Sequence, residues 1–443
     1  EGNVSKIVYK FGGTSLATAE NICLVCDIIC KDKPSFVVVS AIAGVTDLLV
    51  DFCSSSLRER EEVLRKIEGK HEEIVKNLAI PFPVSTWTSR LLPYLQHLEI
   101  SDLDFARILS LGEDISASLV RAVCSTRGWD LGFLEARSVI LTDDSYRRAS
   151  PNLDLMKAHW HQLELNQPSY IIQGFIGSNG LGETVLLGRG GSDYSATLIA
   201  ELARATEVRI YTDVNGIYTM DPKVISDAQR IPELSFEEMQ NLASFGAKVL
   251  YPPMLFPCMR AGIPIFVTST FDPEKGGTWV YAVDKSVSYE PRIKALSLSQ
   301  YQSFCSVDYT VLGCGGLEEI LGILESHGID PELMIAQNNV VGFVMDDDII
   351  SQEAQEHLVD VLSLSSVTRL HHSVALITMI GDNLSSPKVV STITEKLRGF
   401  QGPVFCFCQS SMALSFVVAS ELAEGIIEEL HNDYVKQKAI VAT

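Results

Sequence analysis

Lys10-Phe11-Gly12-Gly13-Thr14-Ser15 and Gly188-Arg189-Gly190-Gly191-Ser192-Asp193 decide how this chain is read. The first follows an apolar, strand-like run, Ile7-Val8-Tyr9. Paired glycines let backbone N–H groups approach an anion closely, because no side chain stands in the way. Lys10 adds a point charge suited to phosphate. The second stretch repeats the device, adds Arg189 and Asp193, and reads as the opening of a helix. Two such loops, far apart in the chain, imply one nucleotide site closed from two sides.

Around these loops the chain alternates strand-like and helix-like segments. Ser35-Phe36-Val37-Val38-Val39-Ser40, Tyr170-Ile171-Ile172-Gln173-Gly174-Phe175 and Glu207-Val208-Arg209-Ile210-Tyr211-Thr212 read as buried strands, continuous and β-branched. Residues 192–204 carry helical Ala and Leu spacing. The alternation predicts an α/β domain with a largely parallel sheet. Residues 59–77 read as a charged amphipathic helix with no site chemistry.

The texture changes near residue 285, beyond the loop-rich Asp272-Pro273-Glu274-Lys275-Gly276-Gly277-Thr278. Strands at 304–309, 333–337 and 340–345 alternate with helices at 315–327 and 351–364. A second set follows, with strands at 374–380, 404–409 and 413–419 and helices at 387–400 and 421–434. Each set follows the βαββαβ order of a ferredoxin-like unit as far as its second helix, and is read as such a unit. The division expected is 1–285, 286–365 and 366–443. An interleaved division, with 291–299 in the last unit, is the alternative.

The chain has 443 residues, enough for about two to four domains. Hydrophobic residues make up 46%, which excludes a disordered class. No apolar run reaches the ~18 residues of a membrane span, and no signal peptide is visible. These features favour a soluble cytoplasmic protein. The formal net charge of -21 argues against a nucleic-acid partner, which needs a basic face. It leaves room for a small anion held by a few local cations and N–H groups. Of the ten cysteines, Cys23, Cys26 and Cys30 fall on one helical face. Without a second Cys pair or a His pair they read as buried small hydrophobes rather than a metal or redox site. Cys406 and Cys408 alternate as in a strand and read alike. Asp143-Asp144 reads as a solvated loop, and His159, His161, His371 and His372 read as packing or surface residues.

Further segments join the two glycine loops. Ser40-Ala41-Ile42-Ala43-Gly44-Val45-Thr46 follows a buried strand, and Ser110-Leu111-Gly112-Glu113 reads as preceding a helix. Tyr211-Thr212-Asp213-Val214-Asn215-Gly216-Ile217-Tyr218-Thr219-Met220-Asp221-Pro222 follows another strand. Most of these fit loops at strand carboxyl ends, where open α/β sheets bind ligands. The G-x-x-x-x-G-K-[ST] and G-x-G-x-x-G patterns are absent. Taken in order, and with Phe245-Gly246-Ala247-Lys248-Val249-Leu250-Tyr251-Pro252, the segments resemble aspartokinase, of the amino-acid kinase superfamily. The resemblance covers nearly the whole chain. It is nearest to the bacterial monofunctional, lysine-sensitive type.

That resemblance implies a three-layer α/β/α sandwich followed by two ACT domains. It implies ATP-dependent phosphorylation of the L-aspartate β-carboxylate, the first step towards lysine, threonine and methionine, with Mg2+ as cofactor. Lys10 would bridge the transferring phosphate, with Asp193 orienting it. Ser40, Thr46, Glu113 and Arg189 would bind aspartate, Glu113 through its ammonium group and Arg189 through a carboxylate. Gly12, Gly13, Ser15, Thr212, Asp213, Tyr218, Lys223, Lys248 and Val249 match nucleotide-contacting positions. No residue is assigned as a metal ligand. A lysine effector would sit against Thr310, Gly313, Gly316, Leu317, Asp330 and Glu332, although Gly313 and Gly316 replace the hydroxyl and aromatic groups expected there. At least a homodimer is expected from exposed ACT sheet edges. A glutamate 5-kinase or acetylglutamate kinase is the same-fold alternative, and an inactive amino-acid sensor is the alternative of another class.

Overall fold

The computed structural model describes residues 5–244, 250–283, 291–309, 316–327, 329, 331, 333–337, 339–364, 366–400 and 405–436. It divides into two units. The first takes the described residues of Glu1–Ile217, Pro232–Phe236 and Leu250–Ala282. The second takes those of Tyr218–Ile231, Glu237–Val249 and Val283–Thr443.

In the first unit, β1 (Ile7–Phe11), β2 (Phe36–Val39), β3 (Gly132–Phe133) and β4 (Tyr170–Gln173) share a sheet with β7 (Glu207–Thr212), β8 (Glu233–Ser235), β9 (Ile265–Ser269) and β10 (Gly277–Tyr281). The order is β3-β4-β2-β1-β7-β9-β10-β8, and only the β9–β10 pairing is antiparallel. Phe36, Val37, Val38 and Val39 are all buried, as a strand covered on both faces requires. β5 (Ile176–Ser178) and β6 (Thr184–Leu186) form a separate hairpin. Helices α1 (Ala19–Asp32), α2 (Val45–Ser54), α3 (Leu57–Leu78), α4 (Val84–Thr88), α5 (Asp102–Thr126), α6 (Leu153–Trp160), α7 (Gly191–Ala203) and α9 (Leu255–Ala261) belong to this unit, and α8 (Phe236–Ser244) follows β8.

Local chemistry sets the helix starts. The Thr18 side chain accepts the Asn21 N–H at the head of α1. Ser56 and Glu59 form a capping box on α3. Ser101 caps α5 by accepting the Asp104 N–H, with Asp102 and Asp104 in the first turn. From β1 the chain runs to β2 on one side and returns, much later, to β7 on the other. That reversal opens a crevice at the carboxyl ends of the central strands.

The second unit is one antiparallel sheet. Its strands are β11 (Arg292–Asp308), β12 (Leu333–Gln337), β13 (Val340–Asp346), β14 (Val367–Asp382), β15 (Phe405–Ser410) and β16 (Ala413–Ala419), in the order β12-β13-β11-β14-β16-β15. Its helices include α10 (Leu317–Ser326), α11 (Gln352–Ser363), α12 (Pro387–Leu397) and α13 (Ser420–Leu430). The predicted strands at 304–309 and 374–380 are therefore the far parts of strands of 17 and 16 residues. Register shifts between Ser299 and Gln302 and between Gln302 and Phe304 break the alternation there and hide the continuity from sequence. β11 pairs with β13 only over Gln302–Asp308, and its Arg292–Ser299 part faces the distal part of β14.

The segment Tyr218–Ile231 is built into this second unit. Met220 and Ile225 are buried with Leu296, Ile377 and Leu430. The Leu296 N–H donates to the Thr219 carbonyl at 2.8 Å, and the Thr219 hydroxyl lies 2.9 Å from His431 Nε2. A side chain at Gly381 would place its Cβ 1.8 Å from the Arg292 carbonyl oxygen, a backbone atom that cannot step aside. Gly381→Ala is expected to cost this unit about 2–4 kcal/mol. Urea unfolding followed by circular dichroism should show an earlier transition, and an unchanged midpoint would contradict the pairing.

Candidate active site

The carboxyl ends of β1 and β2, the middle of α5 and the head of α7 enclose a cavity of about 310 Å³. Lys10, Gly13, Ser40, Thr46, Glu113, Gly188, Gly190, Gly191 and Asp193 line it, with Ala41, Ile42, Ala43, Gly44, Phe175 and Ser192. Two loops are stitched together at its floor. The Ala43 N–H donates to the Gly13 carbonyl at 3.1 Å, and a Cβ on Gly13 would fall 2.9 Å from the Ala41 oxygen. On the far side Gly190 takes a left-handed conformation, φ 67°, and a Cβ there would strike Tyr251 at 2.5 Å. Its turn aims the first N–H groups of α7 at the cavity, an arrangement that attracts anions.

Lys10 and Asp193 meet across this space. Their charged atoms are 2.7 Å apart, and both side chains are mostly buried. The contact is an ion pair rather than an aligned hydrogen bond. It joins the end of the central strand to the first turn of α7, so it fixes where a phosphate and a cation would lie. Removing either partner would strand a charge away from water.

Glu113 is the least expected feature. The sequence reading places Ser110-Leu111-Gly112-Glu113 before a helix, yet these residues lie in the middle of the 25-residue α5. A mid-helix position excludes a role as a helix-start acid. Gly112 is tolerated because the helix touches the β2 loop there: a Cβ would fall 2.7 Å from that of Ala41. The Ser116 hydroxyl donates to the Ser40 carbonyl at 2.6 Å and clamps the same contact. Glu113 Oε1 accepts the Ala41 N–H at 3.1 Å. Its Oε2 is buried with no hydrogen-bond partner among the described residues. Burial pushes the carboxyl up to about 8, against the pull of the Ala41 N–H. An unpartnered carboxylate oxygen in a small cavity is shaped for a cationic group.

Other sequence-identified residues are placed differently. The Gly12 N–H donates to the Tyr211 carbonyl at 3.3 Å, and the buried Ser15 hydroxyl lies 2.6 Å from that of Thr270. Both therefore brace the turn from within. Arg189 is exposed and lies outside the cavity lining. The Thr212 hydroxyl donates to Asp213 at 3.0 Å at the end of β7. Tyr218 and Lys223 belong to the second unit, where the Lys223 N–H donates to Asp221 Oδ1 in a turn. Lys248, Val249, Thr310, Gly313, Asp330 and Glu332 lie outside the described residues. Gly316 and Leu317 stand at the head of α10.

Sequence inspection missed Phe175, whose φ of 71° is costly for an aromatic residue and whose N–H donates to Ser195 Oγ. The side-chain type carries no signal of that backbone state. Cys26 is buried as expected, and the Cys30 thiol is pushed up to about 11 by burial. Asp143 accepts the N–H groups of Ser145 and Ser150 in its loop.

Glycine-lined turns beside Lys10 at the strand ends suit an anion such as phosphate, and the buried carboxyl of Glu113 suits an ammonium group. The sequence pattern of the amino acid kinase family matches residues 5–269. The chain is similar to the aspartokinase of Chlamydia trachomatis, 42% identical over 427 residues, which is 96% of this chain and 97% of that one. It is similar in structure to aspartokinase III of Escherichia coli. With aspartate and ADP bound in the R-state, that enzyme gives a TM-score of 0.83 at 33% identity, over 96% of this chain and 99% of that one. With lysine and aspartate in the T-state it gives 0.81 at 32% identity, over 97% and 100%. The chain belongs to the amino acid kinase family and, within it, to the aspartokinases.

The raised carboxyl has a testable cost. Between pH 4.5 and about 8 the folded state keeps a Glu113 proton that the unfolded chain releases. The unfolded state then binds fewer protons, so this group lowers stability as pH rises through that window. Glu113→Gln removes the dependence. Urea midpoints of the first unit should shift progressively in favour of Gln from pH 5 to pH 8, and parallel curves would contradict the burial.

Proposed function

We propose that the first unit transfers the γ-phosphate of ATP to the β-carboxylate of L-aspartate through the residues around Lys10, Glu113 and Asp193. The observation that carries this assignment is the buried, unpartnered Oε2 of Glu113 beside the Lys10–Asp193 pair. The substrate ammonium group takes Glu113, which ionises as it is paired. Ser40 and Thr46 hydrogen-bond the substrate from the β2 loop. Arg189 closes from the exposed turn onto a substrate carboxylate, a bidentate task that suits guanidinium. A β-carboxylate oxygen then attacks the γ-phosphorus, the bond to the β-phosphate oxygen breaks, and ADP leaves. No general base is needed, because a free carboxylate has a pKa of about 3.9.

The barrier is the approach of one anion to another. Lys10 and the N–H groups at Gly13 and Gly190 lower it by stabilising charge on the transferring phosphoryl group. Asp193 holds Lys10 in place. Within the first unit the nucleotide is assigned to Gly13, Thr212 and Asp213, on the turns after β1 and β7, with Gly12 and Ser15 bracing the first of them. Mg2+ normally takes one or two carboxylates with phosphates and water. Asp193 suits that demand, and no cluster of three or more His, Cys, Asp or Glu placed for a metal exists among the described residues. When bound with ATP, the ion supplies charge neutralisation at the β- and γ-phosphates.

Regulation is assigned to the second unit, with lysine as effector near Gly316 and Leu317. Support comes from the T-state relative, whose crystals hold lysine and aspartate. Exposed Leu317, Leu321, Val340 and Val367 on this unit support self-association into at least a dimer.

The test is hydroxylamine trapping with Mg-ATP and L-aspartate. Aspartyl hydroxamate should form, and added lysine should suppress it more than threonine or methionine does. Lys10→Ala should cut turnover by about 10²–10³-fold or more while circular dichroism shows a folded chain. Product from glutamate but not aspartate, or normal turnover in the variant, would overturn the assignment.

A further inference from the structure

The first unit holds a second cavity, of about 410 Å³, larger than the one around Lys10. Its volume falls within the range of small-molecule sites, about 300–1,000 Å³. Nothing in the phosphoryl transfer uses it. Its floor is a buried polar lattice centred on Asp114, which is 4% exposed. Asp114 accepts hydrogen bonds from Arg90 at 3.2 Å, from Arg137 at 3.0 and 3.1 Å and from Gln173 at 3.0 Å. Arg137 gives its remaining donors to Glu135, Ser110 and Thr184, at 2.8 to 2.9 Å. All five of its N–H groups are thereby spent within the protein.

The walls are different. Arg90 spends one nitrogen on Asp114, lies 4.6 Å over the Trp87 ring, and keeps a side chain that is 56% exposed. Arg107 is 48% exposed, and its ion contact is a long one, 3.8 Å to Asp104. Both line the cavity with Trp87 and Tyr94. Three guanidinium groups thus face a cavity whose lining contains two carboxylates, Asp114 and Glu135. Guanidinium forks match carboxylates in shape, and flat apolar groups settle on aromatic rings.

We propose that this cavity is a second binding site, for a small organic acid with a flat apolar body. The carboxylate would take Arg90 and Arg107, and the body would lie against Tyr94 and the edge of Trp87, whose ring already stacks with Phe82 and Arg90. The site is set apart from the substrate cavity yet tied to it. Asp114 and Glu113 are consecutive on α5, and Gln173 ends the strand that leads to Phe175. Binding here does not depend on the assignment of aspartate as substrate.

Phenylacetate is the probe, titrated into the full chain while tryptophan fluorescence is followed. A saturable change with a dissociation constant at or below about 10 mM is expected, consistent with so small a ligand. Saturating L-aspartate should leave it unchanged, and benzyl alcohol should not reproduce it. Trp87→Phe should abolish the optical change. Arg107→Gln, a half-exposed position, should fold normally and weaken binding about tenfold, the loss of one charge-assisted hydrogen bond. No saturation, displacement by aspartate, or an Arg107→Gln titration equal to the parent's would each overturn the proposal.

Discussion

A carboxylate removed from water governs this site. Glu113 keeps one hydrogen bond, from Ala41, and its other oxygen is buried with no partner among the described residues. Such a group is costly to bury alone, and it lowers stability until a cation arrives. The arrangement makes sense if the cation is part of the substrate. Recognition is then strong for a molecule that carries an ammonium group, because such a molecule supplies the counter-charge that lets Glu113 ionise.

The surrounding structure serves that geometry. Gly112 lets α5 approach the β2 loop closely enough for Ala41 to reach Glu113. Gly13 lets the β1 turn press on the same loop. The Lys10–Asp193 pair then spans from strand end to helix head and lines the same cavity as Glu113. The cavity thus combines a buried carboxyl with backbone N–H groups and a cation. An amino acid with a side-chain carboxylate can satisfy both at once.

Much of this was legible in the residue order. Paired glycines beside Lys10 and Asp193 advertise backbone exposed to an anion, and the β-branched runs at 36–39 and 207–212 advertise a buried parallel sheet. What stayed hidden depends on tertiary contact. Gly112 looks like a helix break, because an interior glycine costs about 1 kcal/mol against alanine. Only the proximity of Ala41 explains it. The long strands Arg292–Asp308 and Val367–Asp382 were cut short in the reading because their bulges interrupt the alternation. The lattice around Asp114 has no sequence signal, since its members come from α5, β4, β6 and the turn at Ala136–Ser138. The integration of Tyr218–Ile231 into the second unit is likewise a packing outcome, carried by Met220 and Ile225.

The role of Glu113 can be measured by offering the enzyme L-aspartate and succinate, which lacks the ammonium group, before and after Glu113→Gln. If Glu113 pairs with that group, the parent should prefer aspartate by about 10²-fold or more in kcat/KM, and the variant should lose most of that preference through the aspartate arm. An equal preference in parent and variant would contradict the account.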